Sequence, residues 1–208
     1  MTAKFITIEG VEGVGKTTNI QFIESLLEQQ GIEFITTREP GGTPLAESLR
    51  SLLLEKRDEP VSGLAELLMI FSARAQHLEQ KIIPALEKGV WVVCDRFTDA
   101  TYAYQGGGRG LSVQVIEQLE QMVQGDLRPD LTLVLDLPVE QGMKRVSERT
   151  EQDRFENEDI SFFHKVRDTY LSRIARQPER YALINAAKAL DIVQLQIMDV
   201  FQERLFND

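Results

Sequence analysis

The 208-residue chain has few residues of the types that build redox and metal centres, with one cysteine and two histidines. Cys94 lies in the apolar run 90–94, so we expect a buried thiol that packs as a small apolar side chain. A single cysteine excludes a disulfide framework and a thiolate metal cluster. His77 and His164 fall in separate predicted helices, which disfavours a histidine metal site or a histidine general base.

The chain also lacks an excess of positive charge. It carries 23 Lys and Arg against 33 Asp and Glu, a formal net charge of −10. A nucleic-acid polymer or an anionic membrane needs a cationic partner face, so this balance argues against both. It still permits a local cationic pocket, and the positions of the basic residues therefore carry the functional argument.

Long apolar runs are missing as well. No run approaches the roughly 18 residues of a membrane-spanning helix. The first residues resemble a strand and not a signal peptide. We therefore expect a cytoplasmic protein, and the length fits one domain over 1–208.

Strand-like runs alternate with helical runs along the chain. Strands are predicted at 5–8, 32–37, 90–94, 131–137 and 181–185. Helices are predicted at about 16–30, 46–54, 64–88 with an interruption at Pro84, 113–123, 139–149, 160–175 and 190–205. This alternation predicts a three-layer α/β fold, with a five-stranded parallel sheet between helices. Ligands of such folds bind beyond the carboxyl ends of the strands.

A glycine-rich segment follows the first strand. Residues 10–17, Gly-Val-Glu-Gly-Val-Gly-Lys-Thr, match G-x-x-x-x-G-K-S/T between a strand and a helix, the context of a Walker A phosphate loop. Lys16 is expected at the β/γ-phosphates and the Thr17 hydroxyl at Mg²⁺. The predicted nucleotide-binding residues are Gly10, Val11, Glu12, Gly13, Val14, Gly15, Lys16, Thr17 and Thr18. The motif indicates a P-loop NTPase-type fold that binds a nucleoside triphosphate.

The third predicted strand, the apolar run 90–94, is followed directly by Asp95. This is the Walker B pattern, in which the acid holds Mg²⁺ directly or through water. The alternative is an ordinary acidic strand cap. Arg96 follows at once, either as a simple ion-pair partner or as a clamp on a second anionic ligand. We favour the clamp because further arginines fall at strand ends or in motif-like surroundings, namely Arg38, Arg50, Arg74, Arg109, Arg149 and Arg154.

A polar segment at about 146–158 contains Arg149 and Arg154 between two predicted helices. It is a candidate lid that would exclude water and bring positive charge to the transferring phosphoryl group. The alternative is a charged helix end. Two anion-binding groups on one sheet suggest phosphoryl transfer between two phosphate-bearing substrates, which needs positioning more than a strong general base.

Glu12 is an unusual residue inside a loop that binds phosphate. Its carboxylate would repel a polyphosphate, so we expect one of two positions. Either it faces solvent, or it faces a group other than phosphate, such as a sugar hydroxyl.

Several further segments resemble the thymidylate kinase family, whose members phosphorylate dTMP with ATP. They are Thr-Arg-Glu-Pro-Gly-Gly-Thr at 37–43, Phe-Ser-Ala-Arg-Ala-Gln at 71–76, Asp-Arg-Phe at 95–97, Thr-Tyr-Ala-Tyr-Gln-Gly-Gly-Gly-Arg-Gly at 101–110 and Asp-Arg-Phe-Glu at 153–156. The segments at 37–43 and 101–110 are the most specific. The resemblance implies Mg²⁺, ATP as phosphoryl donor, dTMP as acceptor and a homodimer.

The resemblance also implies roles for single residues. Its catalytic set is Lys16, Asp95, Arg96 and Arg149, with Thr17 and Asp95 as metal ligands. Its acceptor-site residues are Glu12 at the deoxyribose 3′-hydroxyl, Arg50 and Arg96 at the dTMP phosphate with Arg38 nearby, Arg74 at the thymine edge, Thr101 and Gln105 around the base, and Tyr104 against a ribose 2′-hydroxyl. Because Gly13 stands where one branch of the family has an arginine, a lid arginine is expected to compensate, and Arg149 is the candidate.

One position departs from the family pattern. Members commonly have a phenylalanine four residues before the base-contacting arginine, stacked on thymine, whereas this chain has Ile70 there and Phe71 one residue later. Either Phe71 rotates toward the base, or Ile70 makes an apolar contact without ring stacking.

Two rival functions stay open at the sequence level. One is a kinase for another nucleoside monophosphate, and the other is a P-loop switch or regulatory ATPase. A GTPase switch should carry an N-K-x-D motif, and the sequence has none.

Overall fold

The structure, a computed structural model, describes residues 2–148 and 154–206. Within these residues, five strands form one parallel sheet in the order β2-β3-β1-β4-β5. The strands are β1 (Phe5–Glu9), β2 (Phe34–Arg38), β3 (Trp91–Asp95), β4 (Leu131–Asp136) and β5 (Tyr181–Asn185). The predicted α/β fold is confirmed.

Helices connect the strands and cover the sheet. They are α1 (Lys16–Gln29), α2 (Pro44–Leu54), α3 (Gly63–His77), α4 (Ile83–Glu87), α5 (Thr98–Thr101), α6 (Val113–Gln124), α7 (Val139–Ser147), α8 (Ile160–Arg176) and α9 (Leu190–Phe201). In the described part of the chain, three π-helical segments extend them, Leu78–Ile82 after α3, Tyr102–Gly108 after α5 and Gln202–Phe206 after α9. None of the described helices has the length and apolar character needed to cross a membrane.

Local signals explain where the helices begin. The Thr43 hydroxyl accepts a hydrogen bond from the Ala46 N–H at 3.3 Å, and Pro44 occupies the first turn, where no N–H is needed. Helix α2 therefore starts two residues before the predicted position. The predicted helix 64–88 is instead α3, a π-helical turn and α4, with Pro84 in the first turn of α4.

Strand β2 and the segment 98–108 also differ from the sequence-based expectation. Strand β2 begins at Phe34 and not at 32, because the Ile32 N–H still donates to the Leu27 carbonyl at the end of α1. Residues 98–108 are helical, as α5 and its π-helical extension, where no element was predicted. The run of three glycines at 106–108 lowers helix propensity, so tertiary packing against α8 stabilises this segment.

The register of the sheet brings three motifs to one edge. Asp95, at the end of β3, pairs with Ile8 of β1 on one side and with Arg38 of β2 on the other. The carboxyl ends of these strands therefore meet, and the phosphate loop leaves β1 beside Asp95. Cys94 is buried one residue earlier, as expected for an apolar strand position.

Candidate nucleotide site

The phosphate loop, residues 10–17, takes its shape from backbone conformations that favour glycine. Gly10, Gly13 and Gly15 have φ of 138°, 74° and 88°. A Cβ at Gly13 would lie 2.2 Å from the carbonyl oxygen of Gly142 in α7. The loop is therefore packed backbone to backbone against α7, and a side chain at Gly13 cannot be accommodated without a shift of one of them.

Lys16 folds back over this loop. Its Nζ lies 3.4 Å from the Val11 carbonyl oxygen and 3.5 Å from that of Gly10. Burial, followed by repulsion from Arg96, lowers the pKa of Lys16, while the carboxylates of Glu12 and Asp95 act in the opposite direction. An anion bound at the loop would favour the charged form of the lysine in the same way.

Glu12 does not face solvent. Its Oε1 accepts hydrogen bonds from Arg96 Nη2 at 2.7 Å and from the Tyr104 hydroxyl at 3.0 Å. Burial opposes its ionisation, but attraction to Arg96 and Lys16 outweighs that effect and lowers the pKa of Glu12 to about 2. The acidic residue in the loop is thus directed away from the glycine backbone, toward an arginine and a tyrosine.

Arg96 occupies a strained turn directly after β3. Its φ is 67°, in the left-handed region that non-glycine residues rarely adopt. The turn is held by the Arg96 N–H donating to Ile8 O at 2.9 Å and by the Phe97 N–H donating to Glu9 Oε1 at 2.7 Å. Its guanidinium carbon lies 4.7 Å from the ring centre of Tyr104. Strain retained in this way is common at functional sites.

The buried carboxyl group of Glu9 stabilises the Arg96 turn. Its second oxygen accepts from the Tyr170 hydroxyl of α8 at 2.7 Å. Burial, followed by repulsion from Asp99, raises the pKa of Glu9 to about 8, although the bonds from Tyr170 and Phe97 act in the opposite direction. This carboxyl group links β1, the Arg96 turn and α8.

A second set of groups surrounds Arg74, which is 1% exposed. Its Nε donates to Glu39 Oε2 at 2.7 Å and its Nη2 donates to Thr101 Oγ1 at 3.0 Å. The guanidinium lies between the rings of Phe71 and Phe97, at 4.8 and 5.0 Å. Its Nη1 is buried without a hydrogen-bond partner among the described residues. An unsatisfied buried donor of this kind calls for an acceptor from a ligand.

Arg38 and Arg50 complete this end of the site. Arg38 Nη2 pairs with Glu47 Oε2 at 2.9 Å, and Arg50 Nη1 donates to the Pro40 carbonyl at 2.9 Å. Together with Arg74 they form what we call the arginine end of the cleft. The guanidinium groups of all three can donate hydrogen bonds to phosphate or carbonyl oxygens.

One cleft of about 280 Å³ joins the phosphate loop to the arginine end. The predicted residues that line it are Glu12, Gly13, Val14, Gly15, Lys16, Thr17, Arg38, Arg50, Ile70, Arg74, Asp95, Arg96, Thr101, Tyr104 and Gln105. Four carboxylates stand among its cations, so it is a mixed-charge cleft: Glu12, Glu39, Asp95 and Glu156.

Some predicted residues do not line the cleft. Gly10 belongs to the loop but not to the cleft wall, Val11 is buried in the core, and Thr18 is exposed on α1. Ile70 lines the cleft, whereas Phe71 packs beneath Arg74 with Leu67 and Tyr102. Arg149 and part of the proposed lid lie outside the described residues.

Sequence reasoning missed the buried acid that positions Arg74. Glu39 accepts from Arg74 through one oxygen and contacts His77 Nδ1 at 3.0 Å through the other. His77 in turn lies 2.7 Å from Thr37 Oγ1 through its other ring nitrogen. Glu39 lies in the segment 37–43, where the family resemblance by itself assigns it no role. An acid directly after an arginine at a strand end was the available signal.

Comparisons with known proteins agree with this geometry. The family model described as thymidylate kinase matches residues 8–197. The thymidylate kinase of Teredinibacter turnerae is 59% identical over 197 residues, covering 95% of this chain and 96% of the relative. That of Pseudomonas syringae pv. tomato is 57% identical over 205 residues, covering 99% and 98%. The crystal structure of thymidylate kinase from Ehrlichia chaffeensis superimposes with a TM-score of 0.79 at 34% identity, covering 97% of this chain and 99% of that one.

Proposed function

The chain belongs to the thymidylate kinase family, and from that premise we propose how its cleft performs the reaction. It is an enzyme that transfers the γ-phosphoryl group of ATP to dTMP, giving dTDP. The observation that carries the assignment of substrates to sites is the single cleft, which joins a glycine-built phosphate loop to three arginines. Such a cleft suits in-line transfer between two bound phosphates.

The phosphate loop is the proposed ATP end. Lys16 would neutralise the β/γ-phosphates, since its ammonium already lies over the loop and within the field of Glu12 and Asp95. Val14, Gly15 and Thr17 supply the adjoining backbone and hydroxyl. Arg149 as the compensating lid arginine, and the lid at 146–158, stay predictions.

The arginine end, together with the adjoining Arg96, is the proposed dTMP end. Arg96 and Arg50 would hold the acceptor phosphate with Arg38 nearby, and Arg74 would offer its unpartnered Nη1 to a base carbonyl. Glu12 would accept from the deoxyribose 3′-hydroxyl while paired with Arg96. Tyr104, whose ring packs against Arg96, would lie beside the sugar and disfavour a 2′-hydroxyl.

Mg²⁺ fits the residues between the two ends. Asp95 Oδ1 is buried without a hydrogen-bond partner among the described residues, and Thr17 lines the same cleft. Oxygen ligands of this kind, few in number and beside phosphates, are what Mg²⁺ prefers. When bound, the ion would neutralise charge on the phosphates. Asp95 and Thr17 would hold it.

A coupled assay across dTMP, dUMP, dCMP and dGMP tests the acceptor site. We expect the highest kcat/KM with dTMP and ATP turnover that depends on the acceptor. Equal rates with all four nucleotides would contradict the proposed acceptor site. ATP consumption that is the same with and without dTMP would favour a P-loop switch or regulatory ATPase.

We also propose a homodimer. The neighbouring helices α2, α3 and α6 carry exposed apolar side chains, a pattern typical of an interaction surface. These are Leu45, Leu52, Leu64, Leu68, Val113, Val115 and Met122, the last 79% exposed. Light scattering should give twice the 23.6 kDa chain mass, and Leu68→Glu should lower it. A monomeric mass for the unmodified chain would contradict the dimer. The cytoplasmic location and the single domain over 1–208 stay predictions.

A further inference from the structure

Glu66 is a fully buried carboxylate on α3 that does not line the cleft. Its Oε1 accepts from Gln105 Nε2 at 2.8 Å, and its Oε2 accepts from Arg154 Nη2 at 2.6 Å. Arg109 approaches both oxygens, with its Nε 3.3 Å from Oε1 and its Nη2 3.4 Å from Oε2. A buried carboxylate is tolerated only when it is paired and hydrogen-bonded, and these partners come from two separate segments, 105–109 and the one that contains Arg154.

This contact decides which way the Gln105 amide points. The amide has an N–H₂ donor end and a carbonyl acceptor end, and the two can exchange by rotation. A carboxylate that faces two guanidinium groups only accepts hydrogen bonds, so Nε2 must face Glu66. The carbonyl oxygen of Gln105 then lies on the opposite side of the amide, and Gln105 is a cleft-lining residue.

The cleft therefore offers a defined pair of groups to a base. Gln105 supplies an acceptor, and Arg74 supplies the unpartnered donor Nη1. The thymine edge has a donor at N3–H beside an acceptor at O4, which complements this pair. The cytosine edge has an acceptor at N3 beside an amino donor, so both of its contacts would be mismatched. An unmatched buried polar group is more costly than a missing apolar contact.

We propose that Glu66 is a positioning residue that sets base specificity, by locking the Gln105 amide with its oxygen toward the acceptor base. The inference rests on the proposed function, because it requires the base to lie beside Gln105. Glu66 itself touches neither substrate. Its effect should appear in discrimination between acceptors and not in the use of ATP.

The probe that isolates this effect is 5-methyl-dCMP, which differs from dTMP only along the base-pairing edge. The measurement is the ratio of kcat/KM for dTMP to that for 5-methyl-dCMP. Glu66→Gln replaces an acceptor-only group by an amide that can also donate, so Gln105 can rotate. We expect the ratio to fall about tenfold or more, mainly through KM for dTMP, with KM for ATP within about twofold.

The matched control is Glu120→Gln. Glu120 is a buried carboxylate on α6 that also pairs with a hydroxyl and an arginine, namely Tyr102 and Arg128, but it does not line the cleft. Removing the Glu120 carboxylate should lower the unfolding temperature. The ratio of kcat/KM for dTMP to that for 5-methyl-dCMP should be unchanged. A fall in the ratio for both variants would mean that general destabilisation is the cause, and would overturn the proposal.

A second variant covers the case in which Glu66→Gln does not fold. Glu66→Met combined with Arg154→Met replaces a buried ion pair by apolar side chains, a change that often preserves stability. Arg109 keeps a partner, since its Nη1 lies 2.6 Å from Glu158. The Gln105 amide loses its acceptor in this variant and can rotate, as we expect in Glu66→Gln, so the same fall in the ratio is expected.

Gln105→Ala separates failure of the inference from failure of the proposed function. If Gln105→Ala lowers the ratio and neither Glu66 variant does, the role of Glu66 is overturned and the acceptor site stands. If Gln105→Ala leaves the ratio unchanged, the base does not lie beside Gln105. Both the role of Glu66 and the proposed acceptor site are then overturned. In the Gln105→Ala background, Glu66→Gln should lower the ratio no further.

Discussion

Backbone geometry builds the phosphate loop, whereas buried side chains build the arginine end of the same cleft. Gly10, Gly13 and Gly15 shape the loop through positive φ, and one contiguous segment supplies all of it. Arg74, by contrast, is held by Glu39 and Thr101, which come from separate segments of the chain. The loop should thus be sensitive to added atoms, and the arginine end to lost or misplaced charge.

Lys16→Met should have the largest effect, because it removes the charge that the loop directs at the transferring phosphoryl group. We expect kcat to fall by about 10²–10³-fold, with the dTMP dissociation constant within about threefold. A coupled assay and calorimetry with dTMP measure the two quantities. Lys88→Met, at an exposed position at the end of α4, is the matched control. An equal loss of dTMP affinity would mean that the two ends are not separable.

Gly13→Ala tests the backbone construction of the loop. Its Cβ would meet the Gly142 carbonyl oxygen at 2.2 Å, in addition to the strain of φ 74°. Gly89→Ala has similar strain, with φ 81°, but no atom within 4 Å. We expect Gly13→Ala to lower the free energy of unfolding by about 3 kcal/mol or more and Gly89→Ala by about 1 kcal/mol. Equal losses of unfolding free energy for the two variants, measured with urea, would show that the loop and α7 move apart to accommodate the added Cβ.

Arg74→Lys tests the side-chain construction of the arginine end. An ammonium cannot reach Glu39 and Thr101 and also offer a third planar donor. We expect KM for dTMP to rise by about 10–100-fold, with KM for ATP little changed. Arg176→Lys, at an exposed position at the end of α8, serves as control. A larger effect on ATP than on dTMP would assign Arg74 to the other substrate.

Glu9→Gln tests the buried carboxyl group that holds the Arg96 turn in place. Glu9 has a pKa of about 8 in the folded chain against an ordinary 4.5, so between these values the folded state holds a proton that the unfolded state has lost. The unmodified chain should therefore lose stability as pH rises through this window. The variant should lack this loss, which is at most about 1.4 kcal/mol per pH unit.

Urea unfolding of both proteins at pH 6 and pH 8.5 measures the difference. The pKa of Glu12 is about 2, so its titration lies below this range and does not interfere. Parallel stability curves for the two proteins would contradict the assignment to Glu9.

Contiguous patterns could be read from the sequence because their chemistry is local. The alternation of strands and helices, the phosphate loop and the acid after the third strand each depend on residues that are neighbours in the chain. The helix at 98–108 could not be predicted, since its glycines disfavour a helix and its stability comes from packing against α8. The start of β2 was misplaced for a similar reason, because the end of α1 captures the Ile32 N–H.

The partners of the charged residues depended on folding. The sequence placed Glu12 in the loop but left its direction open, and the approach of Arg96 and Tyr104 turned it away from the glycines. Nothing in the chain order joins Glu66 to Gln105 and Arg154. The local motifs thus defined the chemistry of the site. Long-range packing determined which carboxylate pairs with which arginine, because a buried charge is stable only beside a partner that the fold brings to it.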